Sequence, residues 1–152
     1  APPTDEPGQA QSWKHIFLNE VKDRIDPSRV HFLGRVPHDQ FIRVLQLSTV
    51  HVYLTYPFVL SWSLLEAMSA GCAIVASDTA PVREAIQHGE TGRLVDFFDV
   101  QGLADQVIDL CSDRQQAAEL GRRAREFAIS HYDLKRHCLV GQMDWVEGLA
   151  NR

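Results

Sequence analysis

The chain has 152 residues and a net charge of -5, from 15 Lys and Arg against 20 Asp and Glu, with 45% apolar side chains. That length supports one domain with a real core, and interspersed charges argue against a nucleic-acid or anionic-membrane surface while leaving room for a local phosphate site. Three cysteines without CxxC spacing argue against a disulfide framework or zinc site and fit a reducing cytosol. Cys72 beside an apolar run and Cys111 in an apolar helical stretch read as small core side chains. No signal-peptide pattern, long apolar span or internal repeat stands out.

The opening APPTDEPGQAQS is rich in Pro, Gly and polar residues, so residues 1–11 read as a flexible leader or loop. With no initiator Met, the chain reads as a piece of something longer. Ser12 is expected to cap a helix reaching about Asp26, on a stripe of Trp13, Ile16, Phe17, Val21 and Ile25. Val30 to Leu33 is predicted as the first strand, stopped by Gly34. Pro37 suits the first turn of a helix carrying Phe41, Val44, Leu45 and Leu47.

Val50 to Thr55 is predicted as a β-branched, apolar strand. It must stop at Tyr56-Pro57, because a residue before proline is pushed extended and proline cannot donate to a ladder. Ser61 or Ser63 can cap the next helix, where Leu64, Leu65 and Met68 recur at helical spacing. Gly71 is placed to end that helix in left-handed geometry, and Ala73 to Ala76 is a short buried strand. So compact a βαβ unit implies parallel strands with a right-handed crossover.

After Pro81 a short helix carries Val82, Ala85 and Ile86, and His88 to Gly92 is a turn with two glycines. Arg93 to Val95 is the last strand. One helix from Gln101 carries Leu103, Val107 and Leu110, and a second carries Ala117, Leu120, Ala124, Phe127 and Ala128. Tyr132-Asp133-Leu134 breaks the pattern before a final helix with Leu139, Met143, Val146 and Leu149. Four strands alternating with helices, then a helical tail, predict an α/β fold with a Rossmann-like, doubly wound parallel sheet.

Ligands of such sheets bind beyond the carboxyl ends of the strands, which points to Tyr56–Ser63 and Ser77–Pro81. Glu66 rides one turn into the intervening helix, whose LLEAMSAG is otherwise apolar or small, so its carboxylate must find donors. A solvent-facing or arginine-paired glutamate is the plain reading; a carboxylate accepting from a ligand's hydroxyl pair is the functional one. Asp96 and Asp99 read as a solvated loop rather than a metal pair. His31 and His51 read as satisfied core or edge residues, His131 and His137 as surface positions. No GxSxG elbow, Walker loop or GxGxxG follows any strand.

Four segments in order carry a resemblance: RVHFLGRVPHDQF, VHVYLTYPFVLSWSLLEAMSAGCAIVASD, PVREAIQHGETGRLVDFFD and AAELGRRAREFAISHYD. Together they resemble the carboxyl-terminal domain of GT-B glycosyltransferases of the large retaining family four, from about Ser28 onward. The resemblance makes residues 12–152 a partial, nucleotide-sugar-binding domain. It implies a nucleotide-sugar donor as substrate, with no cofactor, metal or nucleic acid. Glu66 then corresponds to the second glutamate of the E-x7-E signature, which holds the donor ribose. Phe58 stands where the first would be, and Val59-Leu60-Ser61-Trp62 replaces the usual Gly-Phe-Gly-Leu.

In this light the N–H groups from Ser61 through Trp62 and Ser63 to Leu64 would face a diphosphate. Thr79 to Pro81 would form the opposite wall. The domain's first two strands, with their glycine-rich turn and diphosphate-gripping Arg and Lys, have no counterpart here, nor has the amino-terminal acceptor domain. In the order 3-2-1-4-5-6 this chain would hold strands 3 to 6, so a rearranged edge or self-association is expected. The implied activity is hexosyl transfer to an unknown acceptor, with the piece inactive alone. A cytoplasmic site is implied, with peripheral attachment of the longer protein to a membrane left open. A nucleotide-sugar epimerase of GT-B architecture is the alternative, and a flavodoxin-like interaction domain ranks last for want of an acidic cluster at an early strand end.

Overall fold

The chain divides into two compact units, Ala1–Val36 and Pro37–Arg152, and the computed structural model describes residues 12–56 and 59–151. The expected leader at 1–11 and the signature position Phe58 lie outside the described residues.

In the first unit the Ser12 hydroxyl accepts the His15 N–H at 3.3 Å and starts α1 (Trp13–Val21). The helix ends earlier than the predicted Asp26, because Lys22, Asp23 and Arg24 offer no apolar face and close instead into a turn. Asp26 then caps a single 3-10 turn, Pro27–Arg29, accepting the Ser28 N–H at 3.0 Å and its hydroxyl at 2.7 Å. Val30 follows with extended backbone (φ -117°, ψ 111°). The predicted strand Val30 to Leu33 does not form: β-prone residues become a strand only when a neighbour supplies the ladder, and these stay exposed outside any sheet.

The second unit opens with α2 (His38–Leu47). Pro37 takes the position just before it rather than its first turn. The elements that follow are β1 (Val50–Tyr53), α3 (Trp62–Ala70), β2 (Ala73–Ser77), α4 (Ala80–Arg83) and β3 (Arg93–Val95). Helices α5 (Val100–Ser112), α6 (Arg114–Tyr132) and α7 (Leu139–Ala150) complete the chain, with a π-helical turn at Leu134–Cys138 before the last. The sheet among the described residues has three parallel strands in the order β1-β2-β3, one fewer than expected. Val50 pairs with Ala73 and Tyr53 with Ala76, while Val75 pairs with Arg93 and Ser77 with Val95.

β2 is buried along its whole length, as the centre of a doubly wound sheet must be. Alternate residues feed two cores: Ala73 and Val75 pack with Leu110, Ala117 and Leu120, and Ile74 and Ala76 pack with Leu64, Met68, Ala124 and Ala128. Helix α6 therefore contributes to both. β1 stops two residues short of the predicted Thr55, because the Thr55 N–H and C=O both turn to the Ser77 hydroxyl, at 3.0 and 2.9 Å, instead of a ladder. Gly71 takes the left-handed conformation expected of it (φ 84°), and Ser61, not Ser63, caps α3.

Cys72 is buried as expected, its Sγ–H donating to Leu45 O at 3.0 Å. Cys111 is exposed instead, since Leu103, Val107 and Leu110 define the inward stripe of α5 and the next residue turns about 100° away. His51 is not the satisfied histidine expected: its Nε2 is buried without a partner among the described residues. No helix among those residues is long and apolar enough to cross a membrane, and no cluster of His, Cys, Asp or Glu among them could hold a metal.

Candidate functional site

The parallel register brings the carboxyl ends of β1, β2 and β3 to one side, so Tyr53, Ser77 and Val95 each release the chain into a loop there. The loop after β1 is held at both ends. Ser77, fully buried, clamps Thr55 as described, and the Tyr53 hydroxyl accepts the Ser61 N–H at 3.0 Å. Ser61 has the extended backbone of a cap residue, and its hydroxyl accepts the Ser63 N–H at 3.3 Å with Ser63 Oγ 3.0 Å away. The Leu64 N–H donates to Ser61 O at 3.1 Å.

Three of the four N–H groups expected to face a diphosphate thus already have acceptors, those of Ser63 and Leu64 on Ser61 within the turn and that of Ser61 on the Tyr53 hydroxyl at the end of β1. The Leu64 side chain is fully buried and belongs to the core. Trp62, by contrast, stands 84% exposed on the first turn of α3. Across the site, Thr79 precedes α4 without a side-chain cap bond, and its Oγ1 is buried with no partner among the described residues. Pro81 sits in the first turn of α4.

Glu66 lies one turn into α3, its side chain 33% exposed, with Oε1 2.7 Å from His38 Nε2. A carboxylate can only accept, so Nε2 carries the hydrogen. Both residues line a groove of about 520 Å3 between α2, α3 and α6, along with Trp62, Arg125, Tyr132 and Asp133. No arginine among the described residues pairs with Glu66, the Arg125 guanidinium in the same groove donating to Ser69 O, while the partial exposure of the Glu66 side chain leaves its solvent-facing reading in place.

Further groups gather at the same end of the sheet. Arg83 grips Asp78 in bidentate fashion, Nε to Oδ1 at 2.5 Å and Nη2 to Oδ2 at 2.9 Å, which holds the Asp78 carboxyl below its ordinary range. Tyr56, Phe97 and Phe98 pack ring on ring with centroids 5.1–5.4 Å apart. Asp96 and Asp99 prove to be loop residues, accepting the N–H groups of Phe98 and Gly102.

His38, Tyr53 and Arg83 are not singled out by the sequence. Ser77 opens the expected stretch Ser77–Pro81, but its clamp on Thr55 is not foreseen there. His38 had only its place at the start of a helix, and Arg83 only a spacing of five from Asp78.

An N-acetyl-alpha-D-glucosaminyl L-malate synthase of Bacillus anthracis is 36% identical over 116 residues, 76% of this chain and 30% of that protein. Among solved structures, the Anabaena protein HepE in complex with UDP-glucose superposes with a TM-score of 0.78 at 20% identity, over 92% of this chain and 37% of its own. The carboxyl-terminal domain of a glycosyl transferase group 1 protein from Francisella tularensis gives 0.74 at 21% identity, over 81% and 64%. The fold is thus that of a GT-B carboxyl-terminal domain, and the chain spans roughly a third or less of the full-length proteins it matches. The family described as glycosyl transferases group 1 matches residues 11–127, more than half of the chain, and the chain belongs to that family.

Proposed function

We propose that residues 12–152 form part of the donor-binding domain of a retaining, metal-independent glycosyltransferase that moves a hexosyl group from a nucleotide sugar to an acceptor. The observation that carries this reading is the Glu66 carboxylate. It stands half-buried on α3, at the carboxyl end of a parallel sheet, with one oxygen already held by His38. Ligands of open α/β sheets sit beyond that end, and a fixed carboxylate is a good acceptor for a pair of ribose hydroxyls. The UDP-glucose in the HepE complex supports a nucleotide-sugar ligand.

In this reading Ser61, Trp62 and Ser63 border the diphosphate or sugar, and Thr79 and Pro81 line the opposite wall. Stabilising the leaving diphosphate requires cationic groups aimed at the developing charge. Those, together with the acceptor domain, belong to the rest of the longer protein, so this piece binds donor but does not turn it over. The edge of β1 is where further strands, or a second copy of the chain, would add. The reaction runs in the cytoplasm, where nucleotide sugars and free thiols such as Cys72 coexist.

Calorimetry with UDP, GDP and ADP tests the reading. Glu66→Ala should weaken the nucleotide that binds by about 1–3 kcal/mol, the cost of losing hydrogen bonds to a charged acceptor. Unchanged affinity in that variant would reject the role of Glu66.

A further inference from the structure

We propose that His38 is a positioning residue: its Nε2–H fixes one oxygen of Glu66 so that the carboxylate meets the two ribose hydroxyls of a nucleotide already oriented. The inference rests on the donor-binding reading of Glu66 and names how that site discriminates its ligand. At 2.7 Å the contact is short, as a bond to a charged acceptor should be. His38 is the one side chain among the described residues that bonds this carboxylate.

A free glutamate samples many rotamers, and a ligand that needs one of them must order it on binding. His38 removes that cost beforehand. With Oε1 engaged on one lone pair, its other lone pair and both of Oε2 stay open for two vicinal hydroxyls.

The histidine comes from a firm base. It is the first residue of α2, directly after Pro37 (φ -58°), and its ring rests tilted on Phe41 with centroids 6.4 Å apart. Leu45, Phe41 and Ile42 join α2 to the same core as Leu64 and Met68 of α3, which sets the distance between the two side chains. The other charged groups lining the groove are otherwise engaged, Arg125 with Ser69 O and Asp133 with the N–H groups of Lys135 and Arg136. His38 itself is 73% exposed, so its bond to Glu66 adds little to folding. Its contribution is to the ligand.

The geometry supplies its own control. The contact is made by Nε2, whose position the amide nitrogen of glutamine can reach, whereas that of asparagine reaches only as far as Nδ1. Calorimetry on the whole chain would use whichever of UDP, GDP and ADP binds the wild type tightest, together with its 2′-deoxy counterpart. His38→Ala and His38→Asn should lower affinity for the ribonucleotide about tenfold and scarcely change the deoxynucleotide, erasing the preference between them. His38→Gln should restore most of the loss, and His38→Ala should add nothing in a Glu66→Ala background.

Equal loss for both nucleotides, undiminished binding in His38→Ala, loss that persists without Glu66, or a markedly lowered melting temperature would each overturn the positioning role. If the wild type binds no nucleotide, or Glu66→Ala binds as well as wild type, the donor reading fails and this inference with it. If Glu66→Ala weakens binding while His38→Ala does not, the inference alone fails.

Discussion

Replacing Gly121 with alanine sets two effects of opposite sign against each other. Alanine is favoured over glycine inside a helix by about 0.8–1.0 kcal/mol, and Gly121 sits near the middle of the 19-residue α6. Here, however, α6 passes the turn between α3 and β2. Leu120, just before it, packs with Ala73 and Val75 on one face of the sheet, and Ala124, just after it, packs with Met68 and Ile74 on the other. A Cβ on Gly121 would press on Gly71 O well inside van der Waals contact, 2.9 Å from Gly71 C and 3.1 Å from Cys72 C.

All three neighbours are backbone atoms, and Gly71 is locked in its left-handed conformation by two bonds. Its own N–H reaches Met68 O at 3.0 Å, and the Cys72 N–H reaches Ala67 O at 3.1 Å. Relief requires either lifting α6 from both cores or breaking the end of α3. Overpacking of this kind costs about 1–3 kcal/mol, occasionally more, and neighbours that cannot rotate aside place it at the upper end. After subtracting the helix gain, the net loss should be about 2 kcal/mol, a fall in melting temperature of roughly 4–8 °C for a chain this size. Urea and thermal unfolding followed by circular dichroism measure it. Gly141→Ala and Gly148→Ala in α7, where nothing lies within 4 Å of the added carbon, should instead stabilise by about 0.5–1 kcal/mol each. A gain at Gly121 like theirs would refute the close approach of α6 to the turn.

Leu64→Ala removes a fully buried side chain from the α3 face of the sheet and should cost about 2–5 kcal/mol in urea unfolding, so a loss below 1 would contradict its place in the core. Arg93, only 14% exposed, ties β3 to α5 and α6 through Gln106 at 2.8 Å, Asp109 at 2.7 Å and Gln116. Arg93→Ala should destabilise by about 1–3 kcal/mol, and Asp109→Ala, at the exposed end of that pair, by less. Burial pushes His51 below its ordinary value of 6.5. Unfolding then takes up a proton, so its contribution to stability is complete above pH 6.5 and is lost as pH falls from there through the folded-state value. Urea midpoints across that range should drop in the wild type and drop less in His51→Leu; parallel curves would sink the assignment.

Elements were legible in the sequence wherever a residue's chemistry acts on its immediate neighbours. A serine cap for α3, at Ser61 or Ser63, and its end at Gly71 were legible, because a hydroxyl at a helix start and a glycine after an apolar helix have few other uses; the choice of Ser61 came only with the structure. Asp133, inside the predicted break, ends α6 with extended backbone, and its carboxylate starts the next turn by accepting the N–H groups of Lys135 and Arg136. Partners far along the chain were not legible. Val30 to Leu33 has the side chains of a strand, but a ladder must come from elsewhere. Thr55 looked like a sixth strand residue until Ser77, 22 positions on, took both its backbone groups.

The site divides along the same line. Glu66 was legible because a carboxylate in LLEAMSAG conflicts with its surroundings, whereas His38, 28 residues away, meets it only because two helices cross at a spacing set by Phe41, Ile42 and Leu45. The expected diphosphate donors show the opposite hazard. Ser61 and Ser63 advertise a helix start with N–H groups to spare, yet the hydroxyl and carbonyl of Ser61 and the phenol of Tyr53 are what occupy those groups. The residues that mark the amino terminus of α3 therefore also reduce its capacity to bind an anion. On the proposed donor-binding role, recognition should then depend more on the carboxylate of Glu66, and on what holds it, than on the helix that carries it.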